Sequence, residues 1–395
     1  MLYPNRIQIR NGTFVRARLS KWMDRSGGRA TVVAPVPWFP LDHSRFGRRP
    51  DLAEIPTVEA DGGIDVHHPR FLSLPILGRV TNPWTYYRKL RAVCSRLDME
   101  GVDAIDAHFA FPDGVAATLL GRALGIPVVV TVRGSDLNVM LEHAFVRAWV
   151  RWALRRCSAV IAVSEPLSRR ARELCGEDTP VSVIRNGVDV ERFRILPERA
   201  EPSAASGAGA HILSVGNLIE LKGHHLVVEA VAEIPNARLT IIGRGDYQST
   251  LSRLIEEKGL SERVTIVGEM SQDELVSFYN RADVLVLASR NEGTPNVVLE
   301  SLACGTPVVA TAVGGIPDVL TSDRQGRLVT ERSAAALRSA IRDLLADDAV
   351  TPAAVRASVG NFSWDETADR VEAVFESVVR ESRSASGAQT ADVGS

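Results

Sequence analysis

Short runs of β-branched and apolar residues alternate with stretches of helical periodicity along nearly the whole chain. Residues 30–35 (ATVVAP), 104–107, 127–132 (PVVVTV) and 159–163 (AVIAV) read as buried strands in the first half. In the second half 211–215 (HILSV), 238–242 (RLTII), 264–267, 284–287 (VLVL) and 307–310 (PVVA) read the same way. Helical spacing separates them, as in 14–23, 115–124 and 145–156. Near-continuous apolar strands alternating with helices predict parallel sheets covered on both faces. Two such series predict an α/β chain of two Rossmann-like, doubly wound domains.

The pattern is interrupted at 196–210 (LPERAEPSAASGAGA), whose Pro, Ala, Ser and Gly suit a linker. The expected organisation is an N-terminal domain over 1–195, a linker over 196–210 and a C-terminal domain over 211–361. A closing helix over 362–381 and a small, polar, disordered tail over 382–395 complete it. In that helix Ala368, Val371, Val374, Phe375 and Val378 stand at helical spacing, with a return to the N-terminal domain as one option. Residues 1–5 read as the loop after a first strand and 11–13 as the turn into a first helix, yet no strand precedes them. The first strand of such a sheet is usually central. The reading therefore expects an N-terminal sheet without its first strand and a native chain that begins upstream of Met1.

A length of 395 residues favours two domains, and 45% apolar with 24% charged residues is a soluble globular composition. No apolar run approaches the roughly 18 residues that span a bilayer, and no long apolar leader opens the chain. Cys94, Cys157, Cys175 and Cys304 are scattered without metal-ligand spacing, which fits a reducing compartment, the cytoplasm by default. The net charge of −2 hides an asymmetry: residues 1–200 carry 29 basic against 21 acidic residues, leaving 17 against 27 for 201–395. A basic half suggests an anionic partner. No helix-turn-helix, zinc-finger or aromatic RNA-binding signature points to nucleic acid, so a membrane surface or a lipid-linked phosphate is expected instead.

The densest chemistry lies in 290–300 (RNEGTPNVVLE). Pro295 suits the first position of a helix, whose free N–H groups would face back toward Glu292 and offer a phosphate site. One carboxylate before the helix (Glu292) and one inside it (Glu300) could take hydroxyls on either side of a diphosphate, which is the layout of a nucleotide-sugar.

Together with Gly314-Gly315-Ile316-Pro317-Asp318, Lys222-Gly223, Asn186-Gly187-Val188-Asp189 and the helix opened by Trp364, this motif resembles the retaining family-four glycosyltransferases over about residues 3–380. LYPN and NGTFV near the start and DAHFAFPDG at 106–114 are most similar to members that build bacterial exopolysaccharide and cell-wall polymers. The resemblance implies the GT-B architecture, two Rossmann-like domains facing each other across a donor cleft, with the acceptor on the N-terminal side.

It also implies roles. Glu292 would accept from a donor-sugar hydroxyl and place negative charge near the anomeric carbon. Glu300 would take the ribose hydroxyls. The backbone of Gly293, Thr294, Pro295 and Asn296 would approach sugar and phosphate, as would that of Gly12. Lys222 would neutralise the leaving diphosphate. Asn217 stands where many relatives carry Arg, so a second phosphate cation is missing unless Arg244 substitutes. Glu269 would lie in the loop that holds the base. His108 would lie near the sugar's primary hydroxyl and the reaction centre. Arg133 and Asp136 close another strand and are expected on the acceptor side, Arg133 at a place where relatives often have His. Trp38, with Arg45, Arg48 and Arg49 after it, offers an aromatic and cations to an acceptor. Residues 145–156 mix Arg147, Arg151, Arg155 and Arg156 with Trp149 and Trp152, a basic face suited to an anionic membrane or simply to solvent. No Asp-x-Asp occurs, so no metal is expected, and no cofactor.

The expected activity is metal-independent, retaining transfer of a sugar from a nucleoside-diphosphate-sugar to a glycan or polyprenyl-diphosphate-linked oligosaccharide. The expected place is the cytoplasm, with a peripheral position at the inner face of the cell membrane. A nucleotide-sugar epimerase or sugar phosphorylase, and a degenerate GT-B binding subunit without catalysis, are the alternatives.

Overall fold

The computed structural model describes residues 3–9, 11–39, 50–75, 77–199 and 209–392, the side chains of 50, 51, 198 and 386–392 excepted. Arg45, Arg48, Arg49 and most of the expected linker lie outside the described residues. The chain forms two compact units, one of residues 1–186 and 364–395, the other of 187–363.

Among the described residues, the first element of unit 1 is a helix, α1 (Thr13–Ser26). Its described strands fall into three sheets. β1 (Thr31–Val33) pairs in parallel with β4 (Ile64–His67), which pairs antiparallel with β3 (Val58–Asp61). β2 (Val36–Trp38) runs parallel to β5 (Arg70–Leu72). β6 (Ile105–His108), β7 (Val128–Val132), β8 (Ala159–Ala162) and β9 (Val181–Val183) form a parallel sheet in that order. The helices are α2 (Gly78–Cys94), α3 (Val115–Leu124), α4 (Ser135–Asn138), α5 (Ala144–Leu154) and α6 (Glu165–Cys175). Every residue of β7 and β8 is buried, as strands covered on both faces must be. The antiparallel β3–β4 pair departs from the all-parallel expectation. Asp61-Gly62-Gly63-Ile64 makes it possible, because Gly62 (φ 58°) and Gly63 (φ 84°) supply the two left-handed positions of a tight hairpin.

Unit 2 is one six-stranded parallel sheet, ordered β12-β11-β10-β13-β14-β15. The strands are β10 (His211–Val215), β11 (Arg238–Ile242), β12 (Val264–Val267), β13 (Val284–Leu287), β14 (Val308–Thr311) and β15 (Gly326–Val329). Counted within the unit this is 3-2-1-4-5-6, the Rossmann order, with its switch point between β10 and β13. α7 (His224–Ala232), α8 (Gln248–Glu257), α9 (Gln272–Arg281), α10 (Asn296–Ala303), α11 (Ala334–Leu345) and α12 (Pro352–Ala357) cover it.

The expected boundary at residue 195 lies inside unit 2. Val188 N donates to Phe362 O at 2.7 Å, Val188 and Phe193 join the unit 2 core, and Arg199 donates to the carbonyls of Tyr279, Asn280 and Ala282. α13 (Trp364–Asp392) belongs to unit 1 and continues as helix past residue 382, where disorder was expected. Its Val371 and Val378 pack with Val129, Ala159, Ile161 and Ile184, and α1 lies against it. Lys21 and Arg25 of α1 pair with Asp365 and Asp369 of α13, so part of the basic excess of the first half is met within the unit.

Candidate functional site

The switch point of unit 2 gathers the loops that follow β10 and β13, at the carboxyl ends of the strands where open parallel sheets bind ligands. Lys222, in the turn after β10, places Nζ 2.6 Å from Glu292 Oε1 in the loop after β13. Ser289 Oγ donates to the same oxygen at 2.6 Å, and Thr311 Oγ1 donates to Ser289 O, fixing the loop from β14. Arg290 N donates to Leu221 O, while Arg332 donates from Nε to Ala288 O, so the two loops are tied through the backbone as well. His224, at the start of α7, bridges the strands beneath: its Nδ1 lies 2.9 Å from Ser214 Oγ, which donates to Val286 O.

The backbone is held as tightly. Gly314 has φ 56°, and a Cβ there would collide with the carbonyl oxygen of Glu292. Gly315 N donates to Gly293 O at 3.0 Å, so the glycine pair of the following loop cradles the Glu292–Gly293 peptide. α10 begins at Asn296 with Pro295 as its cap residue (φ −80°, ψ 89°), one position later than the sequence suggests. Pro295 donates nothing and its own carbonyl accepts from Val298 N, which leaves the first turn opening toward Gly293 and Thr294.

Glu300 is buried in the middle of α10. It is 8% exposed and accepts from the hydroxyl of the fully buried Tyr279 at 2.9 Å, and burial with that neighbouring charge pushes the Tyr279 phenol well above its ordinary value. Leu218 N, next to Asn217 in sequence, donates to Arg244 O, and Arg244 is exposed on the loop after β11. Glu269 is exposed in the loop after β12. Glu292, Lys222, Asn217, Arg244, Glu269 and Gly293–Asn296 therefore all lie at the carboxyl ends of the unit 2 strands, with Glu300 one turn inside α10.

Unit 1 holds a separate buried cluster. His108 ends β6, and both its ring nitrogens are engaged. Arg133 donates from Nε and Nη2 to Nδ1 at 3.2 and 3.0 Å. Nε2 lies 3.2 Å from Asp106 Oδ2 and 2.9 Å from Arg18 Nη2. Burial, assisted by the charges of Arg18 and Arg133 and opposed by Asp106, brings His108 down to about 4. It is neutral near pH 7. A sugar hydroxyl could reach Nδ1 only by displacing Arg133. Burial also works to raise the Asp106 carboxyl, but Arg18 and His108 outweigh it and hold the group well below the usual carboxylate range. Arg133 also donates to Asn186 Oδ1 and lies over the Phe14 ring at 4.4 Å, and burial together with Arg18 lowers it to about 9.

Asp136 has a different place from the acceptor contact expected of it. Its carboxylate accepts from the backbone N–H groups of Ala110, Arg133, Gly134 and Leu137, so it shapes the turn after β7. Gly12 caps α1 in the left-handed conformation (φ 75°), and Trp38 ends β2 with half its surface exposed. Arg18 was missed by sequence reasoning. It is 4% exposed, pairs with Asp106 and donates to Thr131 Oγ1, and its place three residues after the buried Val15 was the signal. Tyr279, Ser289 and Arg332 were also missed. Among the described residues no cluster of His, Cys, Asp and Glu is arranged to hold a metal ion.

Comparison with known proteins bears on these sites. Residues 15–192 match the family described as Glycosyltransferase Family 4, and 198–361 match Glycosyl transferases group 1. The chain is 30% identical over 352 residues, 86% of each chain, to TuaC of Bacillus subtilis (strain 168), described as a teichuronic acid biosynthesis glycosyltransferase. It is 30% identical over 284 residues, 68% of each chain, to WcaL of Escherichia coli (strain K12), described as a colanic acid biosynthesis glycosyltransferase. Among solved structures, HepE of Anabaena in complex with UDP-glucose superposes with a TM-score of 0.67 at 19% identity, covering 95% of this chain and 97% of that one. Sucrose-phosphate synthase from Thermosynechococcus elongatus gives 0.68 at 22% identity, covering 96% and 94%. These structures share the fold of two Rossmann-like domains. The chain belongs to the family-four glycosyltransferases of the GT-B fold, and it is a glycosyltransferase.

Proposed function

We propose that this enzyme extends a bacterial polysaccharide by moving a sugar from a nucleoside-diphosphate-sugar to a polyprenyl-diphosphate-linked oligosaccharide in the cytoplasm. In this reading the anomeric configuration is retained and no divalent ion is required. The observation that carries it is the Lys222–Glu292 ion pair at the switch point of unit 2. Arrival of the donor gives Lys222 a diphosphate to neutralise and frees Glu292 to accept from a sugar hydroxyl, so both groups change partners on binding. Lys222 and the N–H groups at the start of α10 then carry the charge of the leaving diphosphate, the task a metal ion performs elsewhere. Arg244 supplies the second cation, and Glu300, oriented by Tyr279, takes the ribose. His108 and Arg133 act on the N-terminal side. HepE, solved with UDP-glucose, supports a uridine donor, and the polymer pathways of TuaC and WcaL support a glycan acceptor.

The test is thermal stabilisation by UDP-, GDP- and ADP-sugars, with and without EDTA, followed by nucleotide release when a lipid-linked acceptor is added. A shift with one donor that survives EDTA, and release of its nucleotide, are expected. A folded protein that no donor stabilises would overturn the reading in favour of a non-catalytic binding subunit.

A further inference from the structure

Two helices of unit 1 turn apolar side chains to solvent where a solvated helix is polar. On α2 and its cap, Leu77, Val80, Trp84, Arg88 and Arg91 recur at three- and four-residue spacing and so share one face. All five are exposed, Leu77 by 57%, Val80 by 40% and Trp84 by 51%. The stripe is apolar toward the start of the helix and basic toward its end. α5 is a neighbour of α2, and Arg79 Nη1 lies 3.5 Å from Nδ1 of His143, the residue that caps α5. Just beyond that contact Phe145 is 67% exposed, and Arg147 and Arg151 are exposed two and six residues further on, Arg147 donating from Nε and Nη2 to Leu141 O.

The charged residues of the two helices have one sign, although Asp113 accepts from the Tyr86 hydroxyl on the inner side of α2. α2 carries Arg79, Arg88, Lys89 and Arg91, α5 carries Arg147 and Arg151, and neither helix contains an acidic residue. Glu142, exposed just before α5, is the nearby exception in sequence. Trp149 and Trp152 take no part. They meet edge-on at 6.0 Å and pack against the core of the unit.

Large apolar side chains interleaved with arginines suit the boundary between lipid headgroups and acyl chains. Trp and Phe enter that boundary, and long basic side chains reach back to the phosphates. We propose that the α2–α5 face of unit 1 is the surface on which this enzyme rests on an anionic lipid bilayer. Leu77, Trp84 and Phe145 insert, and Arg79, Arg88, Arg91 and Arg151 pair with lipid phosphate. Its purpose rests on the lipid-linked acceptor proposed above; its geometry does not.

The experiment is sedimentation of the full chain with phosphatidylcholine vesicles containing about one third phosphatidylglycerol, against pure phosphatidylcholine, without donor or acceptor. Binding to the mixed vesicles alone, lost at about 0.5 M salt, is expected. A Trp84→Ser/Phe145→Ser double variant should bind about tenfold more weakly with unchanged melting temperature, since both groups are already in solvent. Arg88→Glu/Arg91→Glu should weaken binding at least as much, whereas Leu345→Ser, at an exposed apolar residue of unit 2, should bind as the parent does. No sedimentation with mixed vesicles, equal sedimentation of the double variant, or binding of single-stranded RNA in place of vesicles would overturn the assignment. A protein that binds vesicles by this face but refuses a lipid-linked acceptor would sink the acceptor reading alone. One that uses such an acceptor in detergent but ignores vesicles would sink the surface alone.

Discussion

Lys222 Nζ and Glu292 Oε1 meet at 2.6 Å across seventy residues of sequence, so the cation assigned to the leaving group and the carboxylate assigned to the sugar restrain each other before any ligand arrives. Lys222→Ala and Glu292→Gln should each lower kcat about a hundredfold, the size of effect seen when one fixed charge-stabilising group is removed. Their losses should not multiply, because each removes the other's partner. Kinetics of both single variants and the double variant decide this, and a full multiplication of the two losses would show that the residues act independently.

Tyr279 and Glu300 form the second buried pair. Tyr279→Phe withdraws a donor from a carboxylate that is 8% exposed, which should cost about 1–3 kcal/mol of stability. If Glu300 takes the ribose, Glu300→Gln should weaken nucleotide binding more than Tyr279→Phe does. Calorimetric titration with the bare nucleotide measures both, and equal affinities for Glu300→Gln and parent would remove Glu300 from the donor site.

The His108 cluster makes unit 1 sensitive to acid. Its imidazole, at about 4 in the folded protein against an ordinary 6.5, binds a proton in the unfolded chain first. The stability it contributes is fully present above about pH 6.5 and is lost as the pH falls toward 4, by about 2 kcal/mol on reaching pH 5. His224, brought to about 4 chiefly by burial, adds a slope of the same sign in unit 2. Denaturation midpoints between neutral pH and about pH 5 should therefore fall in the parent and fall less in His108→Gln. An unchanged slope in that variant would mean that His108 is not held neutral by its surroundings.

Val378 lies 4% exposed in the α13 seam, and Val378→Asp would bury a charge there. A loss of about 3 kcal/mol or more is expected in unit 1. Donor-induced stabilisation of unit 2 should survive, because the residues assigned to the donor lie mostly in its loops. Scanning calorimetry with and without nucleotide-sugar would show two transitions, of which only the earlier has moved.

The central strands of both sheets were legible because strands covered on both faces must be apolar throughout, as the fully buried β7, β8, β13 and β14 are. The loop at the carboxyl end of β13 was legible for a different reason: Gly293 and Pro295 mark a turn into a helix, and Glu292 stands beside it. β2, β5 and β9 are three residues long and too short for periodicity to register, while the Gly62-Gly63 signal for the β3–β4 hairpin was present but overlooked. What pairs with what was not legible. Nothing near Lys222 in sequence announces Glu292 as its partner, and Arg332 reaches Ala288 from the far end of the sheet. The position of His108 could be read, but the Arg133 fork that occupies Nδ1 could not, since it depends on two strands lying side by side.

α13 gives the chain an unusual order of assembly. Domains released from a ribosome ordinarily fold from the N-terminus onward, each as its last residue emerges. Here the apolar faces of Val129, Ala159 and Ile161 wait for Val371 and Val378, which are made only after all of residues 187–363. Unit 2, begun second, can finish first. Until α13 is translated, β7 and β8 keep an uncovered hydrophobic face.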